Sequence, residues 1–557
     1  MRGQSVSVRL TVAAAALTAA LAIALVAARA RAADLPSFWD PVPNPELAEN
    51  IVSRMSAEEL LAQTLMFGWA GEEPSEQVIA WVERRELGSV KVFGWNTDNT
   101  EKVASAVTLL QKRAAAGRFG IPLFVATDQE GGWIRHVKGR TTETPGNLAI
   151  GASGLPMDAY YSGYYISREL AAIGINLNFA PTVDLYTDHE STVIGPRSFG
   201  EDPEAAGALG AAFVAGSRAA GLLTTAKHFP GHGDTGLDSH GALPVIPIGR
   251  KTFYERELVP FRRLVEAGVP AIMSGHLSFP ALCPAGEPAT FSRALLEGVL
   301  RKELGFNGLI VTDDMMMNGA TQYAGSVSRA VALALEAGND IIESSTTPHF
   351  GDPIWSHVLG RMRADPAFRA RVADAARRVV LAKLDYFKGE KPVPLYPDIA
   401  ALDDRVPDPD GRDFFVSMAA RAITVVRGKG LPYRPAPNER VLVAGSFPDF
   451  LEAGTRRFPG ADALPISREL LRAAGRYDTV IFCLASRENL SVLRGLRGLG
   501  PRIIVISALS PVYLAEVPWV SDALACYSYA PSSFVAAFSA LAGDFEPTGR
   551  MPLKGIE

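Results

Sequence analysis

Cysteine is nearly absent: Cys283, Cys483 and Cys526 are the only three in 557 residues. So few and so scattered, they exclude a disulfide framework and a structural zinc ribbon, and their odd number leaves at least one thiol free. A basic excess is missing too. With 55 Lys and Arg against 60 Asp and Glu the net charge is −5, which makes nucleic acid, whose phosphates reward basic patches, a poor partner. Internal repeats are lacking, and beyond the N-terminus so are low-complexity tracts. The 51 Gly and 39 Pro fit neither collagen nor a disordered polar chain. What is there is core material: 48% hydrophobic residues, in a length that allows roughly two to four domains, or fewer if one is a large barrel.

The N-terminus stands apart. Arg2 and Arg9 precede a charge-free stretch from Leu10 to Ala28, and Ala30-Arg31-Ala32 follows. Basic start, apolar centre and small-residue site are the parts of a secretory signal, so residues 1–32 are expected to direct export, to the periplasm or outside the cell. The alternative is an uncleaved anchor, because a stretch of that length can just span a bilayer; a membrane is expected as a partner only in that case. Removing the segment takes four arginines away and shifts the net charge from −5 to −9.

Apolar runs then alternate with helical stretches, the pattern of βα units around a parallel sheet. Ser56 and Glu59 form a potential capping box ahead of Leu60-Leu61-Ala62. Strands are expected at 64–67, 89–93, 123–127, 175–180, 222–226, 271–274, 309–312 and 340–343. Eight of them, with Asp128, Asp184, Lys227-His228, His276 and Asp313-Asp314 at their ends, predict an α/β fold: a (β/α)₈ TIM-type barrel over residues 33–390 with its polar mouth at the strand C-termini. A Pro-rich, charged linker is expected over 391–411. A smaller α/β domain is expected over 412–557, with strands near 423–426, 441–445, 479–484 and 503–507 and no catalytic cluster of its own.

The densest chemistry lies in Lys227-His228-Phe229-Pro230-Gly231-His232-Gly233-Asp234-Thr235-Gly236-Leu237-Asp238-Ser239-His240, which holds three of the chain's eight histidines. A dinucleotide loop fits Gly231, Gly233 and Gly236, but Arg250 and Lys251 stand where a ribose-binding acid would be needed. Zinc ligation by His228, His232, Asp238 and His240 is weakened by Pro230, Gly231 and Gly233, which break the helix that would align the ligands. The third reading is acid/base chemistry, with Asp238 orienting the His240 ring and stabilising its protonated form. Asp313, after the run 308–312, adds a carboxylate that can act as nucleophile or stabilise a cation; the bland alternative is that Asp313 and Asp314 cap a helix at Met315-Met316-Met317, whose methionines fill the core. A proton donor and a carboxylate across a barrel mouth are the apparatus of glycoside cleavage with retention.

On these residues the chain resembles the β-N-acetylglucosaminidase branch of glycoside hydrolase family 3. Lys227 to His240 is similar to that branch's signature loop, and Gly305-Phe306-Asn307-Gly308-Leu309-Ile310-Val311-Thr312-Asp313-Asp314 to its nucleophile strand. Asp128-Gln129-Glu130-Gly131-Gly132, Asn178-Phe179-Ala180-Pro181-Thr182-Val183-Asp184, Arg197-Ser198-Phe199-Gly200 and Met273-Ser274-Gly275-His276 extend the likeness in order. It covers about residues 40–390, and more weakly the second domain, which resembles the family's α/β sandwich.

The resemblance implies that Asp313 is the nucleophile, that Asp238 and His240 form the acid/base dyad, and that Lys227, His228, Arg197 and Asp128 hold the sugar. Arg197 could instead pair with Glu201, Lys227 could be a barrel salt bridge, and Asp128 could cap a helix. His276, Asp184 and Glu130 are read as supports. Two positions depart from the family: Trp133 and His136 stand where arginines are usual, so His136 takes a sugar-binding place with fewer donors. The family's other branch draws its acid/base glutamate from the second domain, which the Asp238-Ser239-His240 loop makes unnecessary. The expected substrate is a carbohydrate containing N-acetylglucosamine, cleaved without metal or organic cofactor. A glycoside phosphorylase is the alternative enzyme, and a carbohydrate-binding protein on a decayed barrel the non-enzyme, disfavoured because every presumed catalytic position is occupied.

Overall fold

The computed structural model describes residues 35–283 and 285–556. The signal-like segment 1–32 lies outside them. Eight short parallel strands close the first sheet: β1 (Leu65–Phe67), β2 (Ser89–Lys91), β3 (Phe124–Thr127), β6 (Leu177–Asn178), β7 (Leu223–Phe229), β8 (Ala271–Ser274), β9 (Leu309–Thr312) and β10 (Ile342–Ser344), in that order around the ring. β10 pairs with β1 through Leu65 and Ile342, and the seam beside β9 is bridged at Val311 and Ile341. A hairpin of β4 (Gln129–Gly131) and β5 (Ile134–Arg135) rises from the end of β3.

Each barrel strand lies at an expected position. Those at 271–274 and 309–312 agree to the residue, since apolar runs bounded by Gly or polar residues leave little freedom. The Ser56–Glu59 capping box forms, the Glu59 N–H donating to Ser56 Oγ at 3.2 Å and the Ser56 N–H to Glu59 Oε2 at 2.6 Å. One boundary is corrected. β7 continues through Lys227, His228 and Phe229, so these residues are the strand's end and not the loop after it; their polarity is satisfied inside the ring, as described below.

The stretch 391–411, expected as a linker, is packed against the rest of the chain. Leu402 and Val406 are fully buried, Asp408 N–H donates to Glu169 Oε1 at 2.8 Å, and the helix Pro409–Ala422 starts within it. The second sheet holds β11 (Thr424–Gly428), β12 (Val441–Gly445), β13 (Asp462–Pro465), β14 (Thr479–Leu484), β15 (Arg502–Ser507) and β16 (Asp522–Ala525), ordered β11-β16-β15-β14-β12-β13 with only β11 antiparallel. Sequence pattern missed β13 and β16. Asp-Ala-Leu-Pro at an exposed edge reads as a turn, since proline is tolerated only where no ladder bond is needed.

At the barrel's N-terminal end, the helix Pro366–Phe387 inserts Lys383 beneath β1 and β2. Its buried Nζ donates to Gln63 Oε1 at 3.0 Å and to Gly88 O at 2.7 Å, with no carboxylate of the described residues in contact, and burial pulls its pKa down to about 7. The unfolded lysine keeps its proton to a higher pH than the folded one, so stability rises with pH between about 7 and 10. Chemical denaturation is expected to show a gain of about 2 kcal/mol from pH 7.5 to 9.0 through this group, absent in Lys383→Met.

Candidate active site

The C-terminal ends of the barrel strands carry an alternating set of charges whose side chains are almost entirely buried. Lys227, on β7, donates to Asp128 Oδ1 and lies 2.7 Å from Glu130 Oε1. Lys91, on β2, reaches Asp128 Oδ2 at 2.9 Å and Glu343 Oε1, on β10, at 2.6 Å. Arg197 grips Glu130 with Nε at 2.9 Å and Nη2 at 2.7 Å. Burial alone would raise the carboxyl pKa values, but the neighbouring cations outweigh it and hold Asp128 well below its ordinary value and Glu130 at about 2. Removing one partner of such a buried pair costs about 3–5 kcal/mol, so the donors are fixed before any ligand arrives.

The Arg197 segment is braced from both sides. Asn147, on the helix Asn147–Ser153, donates to Arg197 O at 2.7 Å. From the other side residues 550–556 return from the second domain: Arg550 N–H donates to Ala152 O at 2.8 Å, Glu201 N–H to Pro552 O at 3.2 Å, and Lys554 N–H to Glu201 Oε1 at 3.1 Å. Gly200, at φ +134°, sits where a Cβ would come within 2.7 Å of Pro552 O. Glu201 therefore does not pair with Arg197; its carboxylate takes His189 Nε2 at 2.6 Å.

His228 is oriented by Asp184, which takes its Nδ1 at 2.7 Å and also the backbone N–H groups of His228 and His232. That leaves His228 Nε2 facing Arg197 Nη2 at 3.4 Å. His136 follows the β4–β5 hairpin, its Nδ1 3.5 Å from Asp128 Oδ2 and without a hydrogen bond among the described residues; desolvation lowers its pKa to about 4, so the ring is neutral above that.

Asp313 follows β9. Its N–H donates to Ser274 O at 3.1 Å, and its Oδ1 accepts the Asp314 N–H at 2.9 Å. Burial opposes ionisation, yet the fields of His228 and His276, the Asp314 N–H and Lys227 prevail and lower its pKa to about 2. His276 contacts Thr290 Oγ1 at 2.9 Å and Asp314 O at 3.1 Å, and so supports this turn. Asp313 and Asp314 cap no helix at Met315: the next helix is Asn318–Ala324, and Asp314 Oδ1 instead accepts from Met316 N and Ser345 N, both at 3.0 Å. Met315 and Met317 are buried as expected, but Met316 is exposed.

The cluster thus gathers Asp128, His136, Arg197, Lys227, His228 and Asp313. Asp238 and His240 stand apart from it. Asp238 Oδ1 accepts His240 Nδ1 at 2.7 Å and His240 N at 2.8 Å, but the side chains are 49% and 72% exposed, and among the described residues neither makes a hydrogen bond or ion pair with Asp313. Their loop is anchored through Ser239, whose carbonyl accepts Gly319 N–H at 3.0 Å and whose Oγ lies 3.3 Å from His232 Nε2. The side chains of His228, His232 and His240 each have a different partner, Asp184, Ser239 and Asp238, and no three His, Cys, Asp or Glu converge among the described residues to hold a metal ion.

Sequence reasoning missed Lys91 and Glu343. The signal was present: each is an ionisable side chain inside a run otherwise fit for a buried strand, where it needs a partner, and burial pushes the Glu343 carboxyl well above its ordinary value.

Residues 55–381 match the family model described as the glycosyl hydrolase family 3 N terminal domain. "Beta-hexosaminidase A" of Pseudoalteromonas piscicida is 33% identical over 378 residues, 63% of this chain and 62% of that protein, so the chain spans less than two thirds of this relative's length. A "Beta-hexosaminidase" of Thiobacillus denitrificans is 35% identical over 56% of this chain and 85% of its own. Among solved structures, a glycoside hydrolase family 3 beta-N-acetylglucosaminidase from Paenibacillus sp. superposes with TM-score 0.83 at 28% identity, covering 90% of this chain and 100% of that one. A beta-glucoside phosphorylase shares the fold at TM-score 0.79 and 20% identity, covering 92% of this chain and 96% of that one.

Proposed function

The chain belongs to glycosyl hydrolase family 3, and on that premise we propose that it is a retaining β-N-acetylhexosaminidase, removing terminal N-acetylglucosamine from cell-wall fragments or chitin oligosaccharides. The observation that carries the reading is Asp313: a half-buried carboxylate at the barrel mouth whose pKa is lowered to about 2, against the cost of desolvation, by His228, His276, the Asp314 N–H and Lys227. Asp313 attacks the anomeric carbon as His240 protonates the departing oxygen, forming a glycosyl-enzyme. His240, then neutral, takes a proton from water, which attacks the same carbon and frees Asp313. Asp238 holds the ring through Nδ1 and leaves Nε2 for the proton. In this reading the exposed Asp238–His240 loop moves over the bound sugar.

Asp128, Lys227, Arg197, His228 and His136 bind the sugar, their donors and acceptors facing its hydroxyls and amide. The signal-like residues 1–32 support export. Names of the two relatives and the Paenibacillus structure support N-acetylglucosamine as the sugar.

Aryl β-glycosides differing only at C2 test the assignment. The N-acetylglucosaminide is expected to exceed the glucoside in kcat/KM by at least about 100-fold; equal rates would overturn it. The second reading is phosphorolysis, favoured by an acid/base imidazole that carries no negative charge of its own, once its proton is given up, to oppose an incoming phosphate. Free N-acetylglucosamine is expected at a rate that phosphate changes little; sugar 1-phosphate as the main product would favour the phosphorylase.

A further inference from the structure

Beside the charged cluster lies another space. A cleft of about 690 Å³ separates the barrel from the second domain, with Trp133, Glu190 and Gly195-Pro196 on one wall and Arg487, Glu488 and Glu516 on the other. Its volume is in the range of small-molecule sites, and domain boundaries are where such sites concentrate.

Three contacts tie it to the reacting groups. Gly195 and Pro196 immediately precede Arg197 in its short helix. Trp133 sits in the hairpin between Glu130 and His136. The dyad loop lies against the same wall: Asp188 N–H donates to Gly233 O at 3.1 Å, and a Cβ on Gly236 would stand 3.8 Å from that of Glu190. The cleft therefore borders both the candidate sugar grip and the loop bearing the candidate proton donor, where a group leaving the anomeric carbon must pass.

Its chemistry is specific. Trp133 is 36% exposed, an apolar face available for a sugar ring to cover. Among the described residues lining the cleft, Arg487 is the only lysine or arginine. It is already held by Glu190 and, at 3.8 Å, by Glu516, which Arg494 also pairs. Glu488 adds another negative charge without an ion-pair partner among the described residues, and His189 is held by Glu201. An anionic ligand would meet one unpaired carboxylate, Glu488, and no unpaired cation among the described lining residues, while an uncharged one would meet no such opposition.

Resting on the hydrolase reading above, we infer that this cleft is the leaving-group subsite, built jointly by both domains, and that it takes uncharged saccharide leaving groups and rejects those bearing carboxylates. This separates the two substrate classes: neutral chitin oligosaccharides fit, and fragments whose next sugar carries a lactyl carboxylate or peptide acids do not.

The test compares three substrates of the full chain: N-acetylglucosaminyl fluoride, whose leaving group is too small to fill the cleft, N,N′-diacetylchitobiose, and N-acetylglucosaminyl-N-acetylmuramic acid. The neutral disaccharide is expected to exceed the acidic one in kcat/KM by about tenfold or more at low salt, with the gap narrowing as salt rises. Trp133→Ala is expected to lower the ratio of disaccharide to fluoride activity about tenfold. Glu190→Gln with Glu488→Gln is expected to raise acidic over neutral disaccharide activity about fivefold. Equal use of the two disaccharides, or an equal loss on fluoride and disaccharide in Trp133→Ala, would overturn the subsite. Inactivity of the unmodified protein on the fluoride would instead overturn the hydrolase reading and the subsite with it.

Discussion

Asp313→Asn is expected to fold normally and to lose roughly 10⁴-fold in kcat. An amide cannot form the covalent bond to the anomeric carbon. Lys227 keeps Asp128 and Glu130 after the substitution, so no buried cation is stranded. Asp314 is not a substitute, because its Oδ1 is spent on Met316 N and Ser345 N. A 5-fluoro N-acetylglucosaminyl inhibitor should leave its mass on the peptide carrying Asp313, read by fragmentation mass spectrometry; label on Asp314 would reverse the choice. With the Asp313 pKa lowered to about 2, protonation of the nucleophile should not shape the activity profile above about pH 3.

His240→Ala should divide substrates by leaving group. A sugar alkoxide needs a proton in the transition state and a dinitrophenolate does not, so kcat/KM on chitobiose is expected to fall roughly 10²–10⁴-fold and on the activated aryl glycoside far less. Equal losses would make His240 a ligand or structural histidine. Asp238→Asn should show the same asymmetry at smaller size, since it keeps an oxygen to orient Nδ1 but not the charge that stabilises the imidazolium. Chelators should change neither rate.

Most of the barrel was legible because its strands are short apolar runs with polar ends, and the signature loop because three histidines in fourteen residues are too many for packing. Legibility failed where satisfaction is non-local. Lys227 and His228 read as loop because their polarity argues against a buried strand. Their partners Asp128 and Asp184 lie 99 and 44 residues away, and only ring closure makes them adjacent. The same holds for Lys91 and Glu343, 252 residues apart. For Arg197 the alternative partner visible in sequence is nearby Glu201, whereas Glu130, 67 residues back, holds it.

The strap formed by residues 550–556 gives the protein a clock. Glu201 and Lys554, which it joins, are 353 residues apart, and at ordinary synthesis rates roughly 20–70 s separate their appearance. During that interval the Arg197 segment can have its helix Asn147–Ser153 but not its outer support. A nascent barrel therefore waits for chain made long after it before its arginine is held from both sides, and the full bracing of Arg197 dates from the arrival of the strap and not from the closure of the ring.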